Sequence, residues 1–353
     1  MKHAKFAFGL LGLLGMVAGW MPEAWAETEI VDGVTWSFRF VGDTAMVTGA
    51  APAEGKLSIP AMLGTHPVGS VGSRAFGSCD ELTGIVIPDS VTNIESFAFY
   101  ECTGLTGVTI GEQVKNIGSW AFAFCSGLTN VMFPDSLTRI EDDAFWHCTS
   151  LSSVTIPASL AKIGSGAFYN CTNLTAVHIR DLAAWCEIAS GSTDANPLYY
   201  ANHLYLDGEE VDLAGDFVIP DGATKIGSYV FHGCNGLTSV VIPGSVMNIE
   251  SEAFSGCSGL TSVTIPDDVT SIGQSSFSGC IGLASFVIPD GVTSIGDFAF
   301  KNCNGLMNVT ILGNVTNDWA YSRNPFAGCS TLWTIVFWEF DFNVNFNTSG
   351  STD

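Results

Sequence analysis

The sequence predicts a repeat solenoid, β-rich with short helical or irregular arcs, carrying an N-terminal β cap and divided once into two sub-arrays. Three observations predict it. Cysteines stand at 79, 102, 125, 148 and 171, and again at 234, 257, 280 and 303, with a step of 23 inside each run. A Phe lies three residues before each and a Leu three residues after each, from Phe76 and Leu82 to Phe300 and Leu306. A further copy follows at a step of 26 as Phe326, Cys329 and Leu332. A fixed period of this kind means one structural unit stacked on copies of itself.

Taken in order, residues 1–26 read as a signal peptide. Lys2, His3 and Lys5 form a basic start, Phe6 to Gly19 an apolar stretch, and Ala24-Trp25-Ala26 a small-x-small cleavage pattern. The apolar stretch is shorter than the roughly 20 residues a membrane span needs. Residues 27–58 read as a β cap: Trp36, Phe38 and Phe40 alternate with Ser37 and Arg39 after an Asp32-Gly33 turn signal. Solenoids need such a cover for the apolar end of the first coil.

Residues 59–174 form the first sub-array and 218–338 the second, with its closing coil. In Leu260-Thr261-Ser262-Val263-Thr264-Ile265-Pro266 the apolar residues alternate and Pro ends the run, the pattern of a short strand closed by a turn. Val269 and Ile272 point a second pair inward, and Gly273 permits a tight bend. The Ala-Phe-x-x-Cys stretch is too short for an independent helix, so a helical turn or irregular arc is expected. Stacking buries the Leu, Val, Ile, Phe and Cys of one coil against those of the next, which makes stability a property of the array.

The 63 residues from Cys171 to Cys234 are not a multiple of 23, so residues 175–217 interrupt the array. Asp181-Leu182-Ala183-Ala184-Trp185-Cys186 reads as a capped short helix. His203 to Leu206, Asp207-Gly208 and Glu209 to Val211 read as a hairpin with a two-residue turn. The element is either a splice joining two sub-arrays, the favoured reading, or a protrusion that adds to a binding face. At the far end, Trp333, Phe337, Trp338 and Phe340 suggest a divergent closing coil. Residues 339–353 form a polar tail without a recognisable sorting signal or membrane anchor.

The spacing Leu-x-x-Val-x-Ile-Pro, Val-x-x-Ile-Gly, Ala-Phe-x-x-Cys resembles the BspA-like leucine-rich repeats of bacterial and protist surface proteins, over about residues 59–338. The Asp181 to Cys186 and Asn196-Pro197-Leu198-Tyr199-Tyr200 strings also resemble an element recurring in that family. The resemblance implies a leucine-rich-repeat solenoid and a role in surface display, adhesion or binding of host matrix proteins. Fold by itself does not fix function.

Composition narrows the partners. Hydrophobic residues make up 47 % of the chain and charged residues 13 %, with 35 acidic against 12 basic, a net charge of −23. Removing Lys2, Lys5 and Glu23 with the first 26 residues leaves 10 basic and 34 acidic, or −24. Nucleic acid and anionic membrane surfaces are therefore disfavoured. Eleven cysteines in an exported chain ordinarily suggest disulfides. Ten of them share one column, where successive coils lie about 4.8 Å apart but parallel Cβ vectors suit bridging poorly. Buried thiols are the favoured reading, with bridges as the alternative.

No metal or cofactor site is expected. His66, His147, His178, His203 and His232 fall at unrelated phases of the repeat and read as surface or rim residues, without an arguable carboxylate partner. Asp89, Asp135, Asp221, Asp267 and Asp290 follow the repeat Pro; an acidic edge for calcium is conceivable, but Asp is also a natural turn residue, and that reading is preferred. Glu141-Asp142-Asp143 reads as a solvated edge. No Gly-x-Ser-x-Gly, P-loop or His-Glu-x-x-His string occurs, so no catalytic residue is assigned. Thr106, Thr109, Thr129, Ser152, Ser153, Thr155, Thr261 and Thr264 are expected to line a flat, hydroxyl-rich sheet without a pocket.

The localised candidate is aromatic. Phe97, Trp120, Tyr229 and Phe298 stand two residues before the column Phe, and Tyr100, Phe124, Trp146 and Tyr169 just after it. Other coils place Ser, Gly, Glu or Asp there, so the core does not demand rings. Phe97, Tyr100, Trp120, Phe124, Trp146 and Tyr169 are the candidate partner-binding residues, with lateral packing between arcs as the competing account. The expected function is a non-enzymatic secreted or cell-surface recognition protein, adhesion-type, binding an extracellular protein or glycan. The alternative is a structural module of an envelope or extracellular assembly with no dedicated ligand.

Overall fold

The computed structural model describes residues 26–315 and 323–337. The expected signal segment, Trp338, Phe340 and the tail lie outside the described residues, apart from Ala26. The chain forms a β-solenoid with very little helix, as the repeat predicts. Strands Glu27–Val31, Val34–Val41 and Thr44–Ala51 form an antiparallel meander. Its last strand pairs in parallel with His66–Val71 and so opens the first ladder of the solenoid. Trp36 is buried and meets the Phe76 ring edge-on at 6.3 Å.

Each 23-residue coil contributes two strands. The longer ones, such as Leu82–Val86, Gly107–Thr109, Asn130–Met132, Ser153–Ile156 and Ala176–Ile179, stack in parallel with Val108, Val131, Val154 and Val177 in register. The two-residue strands Asn93–Ile94, Asn116–Ile117, Arg139–Ile140 and Lys162–Ile163 form the second ladder. A period of two sends Val and Ile inward and hydroxyl or amide side chains outward. The β-branched residues suit that pleated surface.

The arc between the ladders turns by backbone geometry, without helix. Two residues of each ordinary arc, two before and two after the column Phe, take positive φ: Phe97 at 61° and Glu101 at 59°, Trp120 at 60° and Phe124 at 61°, Asp143 at 57° and His147 at 58°. Between them the Phe rings stack on one another, nearly parallel, with centroids 5.0 Å apart from Phe76 to Phe99 and 5.4 Å from Phe277 to Phe300. All column Phe residues from Phe76 to Phe300 are fully buried.

The column cysteines are free thiols. Cys102, Cys125, Cys148 and Cys171 donate to the carbonyls of Phe76, Phe99, Phe122 and Phe145 at 2.9–3.3 Å. Cys257, Cys280 and Cys303 repeat the bond in the second sub-array. Each Phe carbonyl also accepts the N–H of its own coil's cysteine, as Phe99 does from Cys102. The column thus wants a small apolar side chain with one weak donor, which is what a thiol offers.

The interruption is a degenerate coil of the same solenoid. Ala189–Ser190 pairs with Lys162–Ile163 and Leu204–Leu206 with Ala176–Ile179, so both ladders extend into it and end there. Phe168 N–H donates to the Asp194 carbonyl, the bond that column Phe residues elsewhere make to the residue just before the next column Phe. Ala195, Leu198 and Ala201, all buried, therefore occupy the Phe, Cys and Leu columns. Helix Leu182–Glu187 replaces the usual turn, its N-terminus capped by the Asp181 side chain accepting from Ala184 N–H at 2.9 Å. Hairpin Leu204–Leu206 to Glu209–Glu210, turned by Asp207 and Gly208 at positive φ, ends the eight-stranded ladder. New ladders begin at Asp216–Val218 and Lys225–Ile226.

Asn196 couples the degenerate coil to the second sub-array. It is 1 % exposed. Its amide donates to the Tyr229 and Val230 carbonyls at 2.9 and 2.8 Å, and its oxygen accepts the Leu198 N–H at 2.9 Å. Every hydrogen-bonding direction of that side chain but one is used within the fold.

Candidate functional site

The structure brings all six predicted aromatics into one ribbon along the arcs of the first sub-array. Phe97 stacks on Trp120 at 6.1 Å, Trp120 on Trp146 at 5.5 Å, and Trp146 on Tyr169 at 4.1 Å. Beside that file, Tyr100 meets Phe124 edge-on at 5.6 Å and Phe124 stacks on His147 at 5.0 Å. Phe97 and Tyr100 link the files at 5.6 Å, and Trp146 and His147 do so at 5.7 Å. The guanidinium of Arg74 covers the first ring face, 4.8 Å from the Phe97 centroid. Most rings are half-buried; Tyr169 is the most open, at 38 % exposure.

Three backbone positions carry this arrangement. Phe97, Trp120 and Phe124 hold bulky side chains at positive φ, a conformation that costs a non-glycine residue about 1–2 kcal/mol. Gly166, Gly233, Gly256 and Gly279 occupy the same kinds of position in other coils, so the fold accepts glycine there and does not require rings.

The sequence missed one member of the ribbon and three aromatic side chains beyond it. His147 belongs to the ribbon and also meets Asn170 Nδ2 through Nδ1 at 3.0 Å. Its place two residues after the column Phe, the place of Phe124, was the available signal. Tyr200 of the degenerate coil accepts the Asn170 N–H on its hydroxyl at 3.1 Å, standing in for the main-chain carbonyl that ordinary coils supply there. Tyr199 contacts Tyr200 at 5.1 Å and His232 at 6.0 Å, and His232 contacts Tyr229 at 6.0 Å. Aromatic contacts thus resume across the interruption. Phe298 lies apart in the second sub-array, its ring covered by Lys301 at 5.1 Å.

Two other expectations change. Histidines do meet carboxylates: His203 Nδ1 lies 2.6 Å from Glu210, and His232 Nδ1 stands 3.5 Å from Glu252 across one coil step without a hydrogen bond. Burial pushes His232 below the usual imidazole range and Glu252 above the usual carboxylate range. The hydroxyl row is also less available than expected. Thr106, Thr129, Ser152 and Thr261 donate to main-chain carbonyls one coil back, at 2.9–3.2 Å. On the first sub-array, outward Gly84 and Gly107 leave a shallow depression of about 590 Å³ beside Lys56, Met132 and the Arg180–Asp135 pair. The Asp89 carboxylate accepts the Glu112 N–H at 2.9 Å, a bond to the next coil and not to a nearby amide of its own turn. Among the described residues no three His, Cys, Asp or Glu side chains gather to hold a metal, and no helix is long and apolar enough to cross a membrane.

Parallel short strands, turning arcs and a Leu-Val-Ile interior repeated every 23 residues define a leucine-rich-repeat protein. More narrowly, the chain belongs to the BspA type leucine-rich repeat family, whose model matches residues 69–185 and 213–338. It is 31 % identical to a leucine-rich cell surface protein of Faecalibacterium prausnitzii, over 91 % of this chain and 96 % of that one, with a TM-score of 0.45. The pneumococcal vaccine antigen PcpA is 18 % identical over 89 % of this chain and 88 % of its own, with a TM-score of 0.50. A leucine-rich repeat protein of Bacteroides ovatus is 24 % identical over 88 % of this chain and all of its own, with a TM-score of 0.35. No curated protein matches the chain.

Proposed function

We propose that the protein is an exported, non-enzymatic recognition module that meets an extracellular protein or glycan through the aromatic ribbon. The observation that carries this reading is the ribbon itself: six contiguous rings, three of them, Phe97, Trp120 and Phe124, held at positive-φ positions of a kind that other coils fill with glycine. Export is supported by the basic, apolar and small-residue order of residues 1–26. Surface display is supported by the Faecalibacterium relative, which is described as a cell surface protein. Family membership and the lack of a catalytic motif in the sequence support a non-catalytic role.

A second reading has its own observation. The rings stack mainly on one another, so they could serve as lateral clamps of a purely structural module. An array of matrix proteins and glycans, probed with the chain and with its Trp120, Phe124, Trp146 and Tyr169 to Ser variant, separates the two. Binding that falls at least about tenfold in the variant supports recognition. Unchanged binding, or no binding by either form, favours the structural role.

A further inference from the structure

We infer that the ribbon takes a basic, arginine- or lysine-bearing segment of a partner protein, an inference that rests on the ribbon being the binding surface proposed above. The first ground is which parts of the rings remain open. A sugar stacks its C–H groups on an aromatic face, and here the faces of Trp120 and Trp146 are covered by ring neighbours on consecutive coils. Tyr169 is the most open of the rings, and carboxylates stand on the same arcs.

The second ground is charge placed on the same arcs. Residues 95–103, 118–126, 141–149, 164–172 and 191–201 contain Glu95, Glu101, Glu141, Asp142, Asp143 and Asp194, and no Lys or Arg. Among the described residues only Glu141 of these six meets a lysine or arginine, Lys162 at 3.6 Å. The four ordinary arcs 227–235, 250–258, 273–281 and 296–304 of the second sub-array hold Glu250, Glu252 and Asp297 against Lys301. Acidity and aromatic rings therefore coincide on one stretch of the solenoid.

One carboxylate there, Asp143, is held out of its ordinary state, chiefly by burial. Asp143 crosses the backbone of Gly166 beside the Trp146 ring. Burial first, then the charges of Asp142 and Asp194, hold its carboxyl above the usual range. A cation arriving at that place relieves the repulsion. At the end of the file, where one ring face has no ring neighbour, Arg74 lies over Phe97, so the ribbon already takes a guanidinium there. An acidic glycan or nucleic acid meets the opposite situation.

The test uses the full chain and a random peptide display library, followed by a defined peptide alternating Arg with apolar residues, its Glu counterpart, and neutral oligosaccharides. A variant carrying E101Q, D142N, D143N and D194N keeps every ring, and its melting temperature reports that it is folded. Selection of Lys- and Arg-rich peptides, and a loss of at least about tenfold in affinity for the Arg peptide in the carboxamide variant, are the expected results. Equal retention of the Arg and Glu peptides, affinity untouched by the carboxamide changes, or preference for neutral oligosaccharides overturns the inference. Binding lost in the Ser variant of the rings but kept in the carboxamide variant preserves the ribbon as the site and rejects its basic partner.

Discussion

The thiol of Cys125 donates to the main-chain carbonyl of Phe99, 3.1 Å away in the preceding coil. The bond ties one coil to the next inside the core, and its sulfur is fully buried. Ionising such a thiol would remove its donor and strand a charge in an apolar interior.

Alkaline pH should therefore unfold the protein through its cysteines. Burial pushes the Cys171, Cys234 and Cys280 thiols from 9.0 up to about 12. Between those values the folded chain keeps protons that the unfolded chain releases, so stability is intact below pH 9.0 and falls as pH rises towards 12. Each thiol contributes a loss of about 1.4 kcal/mol per pH unit in that window. Melting temperature against pH should fall more steeply for the natural chain than for its Cys171, Cys234 and Cys280 to Ala variant; parallel curves would refute the assignment.

At position 120 the usual order of alanine over glycine should reverse. Trp120 holds φ 60°, where alanine bears a steric penalty of about 1–2 kcal/mol and glycine does not. Urea denaturation should find Trp120→Gly more stable than Trp120→Ala by about 1 kcal/mol, although both lose the stacking on Phe97 and Trp146. The opposite order would mean that the arc does not hold this geometry in solution.

One buried hydroxyl is a liability. Ser276 is fully buried where Ala253 and Ala299 stand in neighbouring coils, and its Oγ has no partner among the described residues. Ser276→Ala should raise stability by about 1–2 kcal/mol, read as a higher denaturation midpoint at unchanged slope. A fall in midpoint would show that the hydroxyl is bonded after all.

Removing the Asn196 amide should loosen the joint between the sub-arrays. Asn196→Ala leaves the Tyr229 and Val230 carbonyls and the Leu198 N–H without this partner, at a cost of about 2–4 kcal/mol. Tryptophan fluorescence and far-UV circular dichroism should then report separate transitions, whereas the natural chain should melt in one. A single, unshifted transition in the variant would sink this account of the joint.

Much of the solenoid was legible because burial repeats a residue at one phase every 23 positions. Phe, Cys and Leu announce their columns, and the six ribbon residues stood out because the core does not require them. The degenerate coil was opaque for the converse reason. Ala195, Leu198 and Ala201 fill the three columns with side chains that carry no signature. The Glu252 pairing of His232 was hidden because a coil step brings residues 20 positions apart into contact. Hydroxyls such as Thr106 looked available, since a one-dimensional pattern does not show which carbonyl lies a coil away.

The ladder register has a consequence for how such a surface changes over generations. Val131 pairs with Val108 on one side and Val154 on the other, through identical offsets of 23. One coil can thus be duplicated or deleted within the first sub-array and leave its neighbours with matching partners. The hairpin at Leu204–Leu206 and Glu209–Glu210 breaks that equivalence and fixes the far end. Reach along the ribbon is consequently a quantised trait, altered by copy number in whole rungs while each rung's chemistry drifts by substitution at positions the interior ignores.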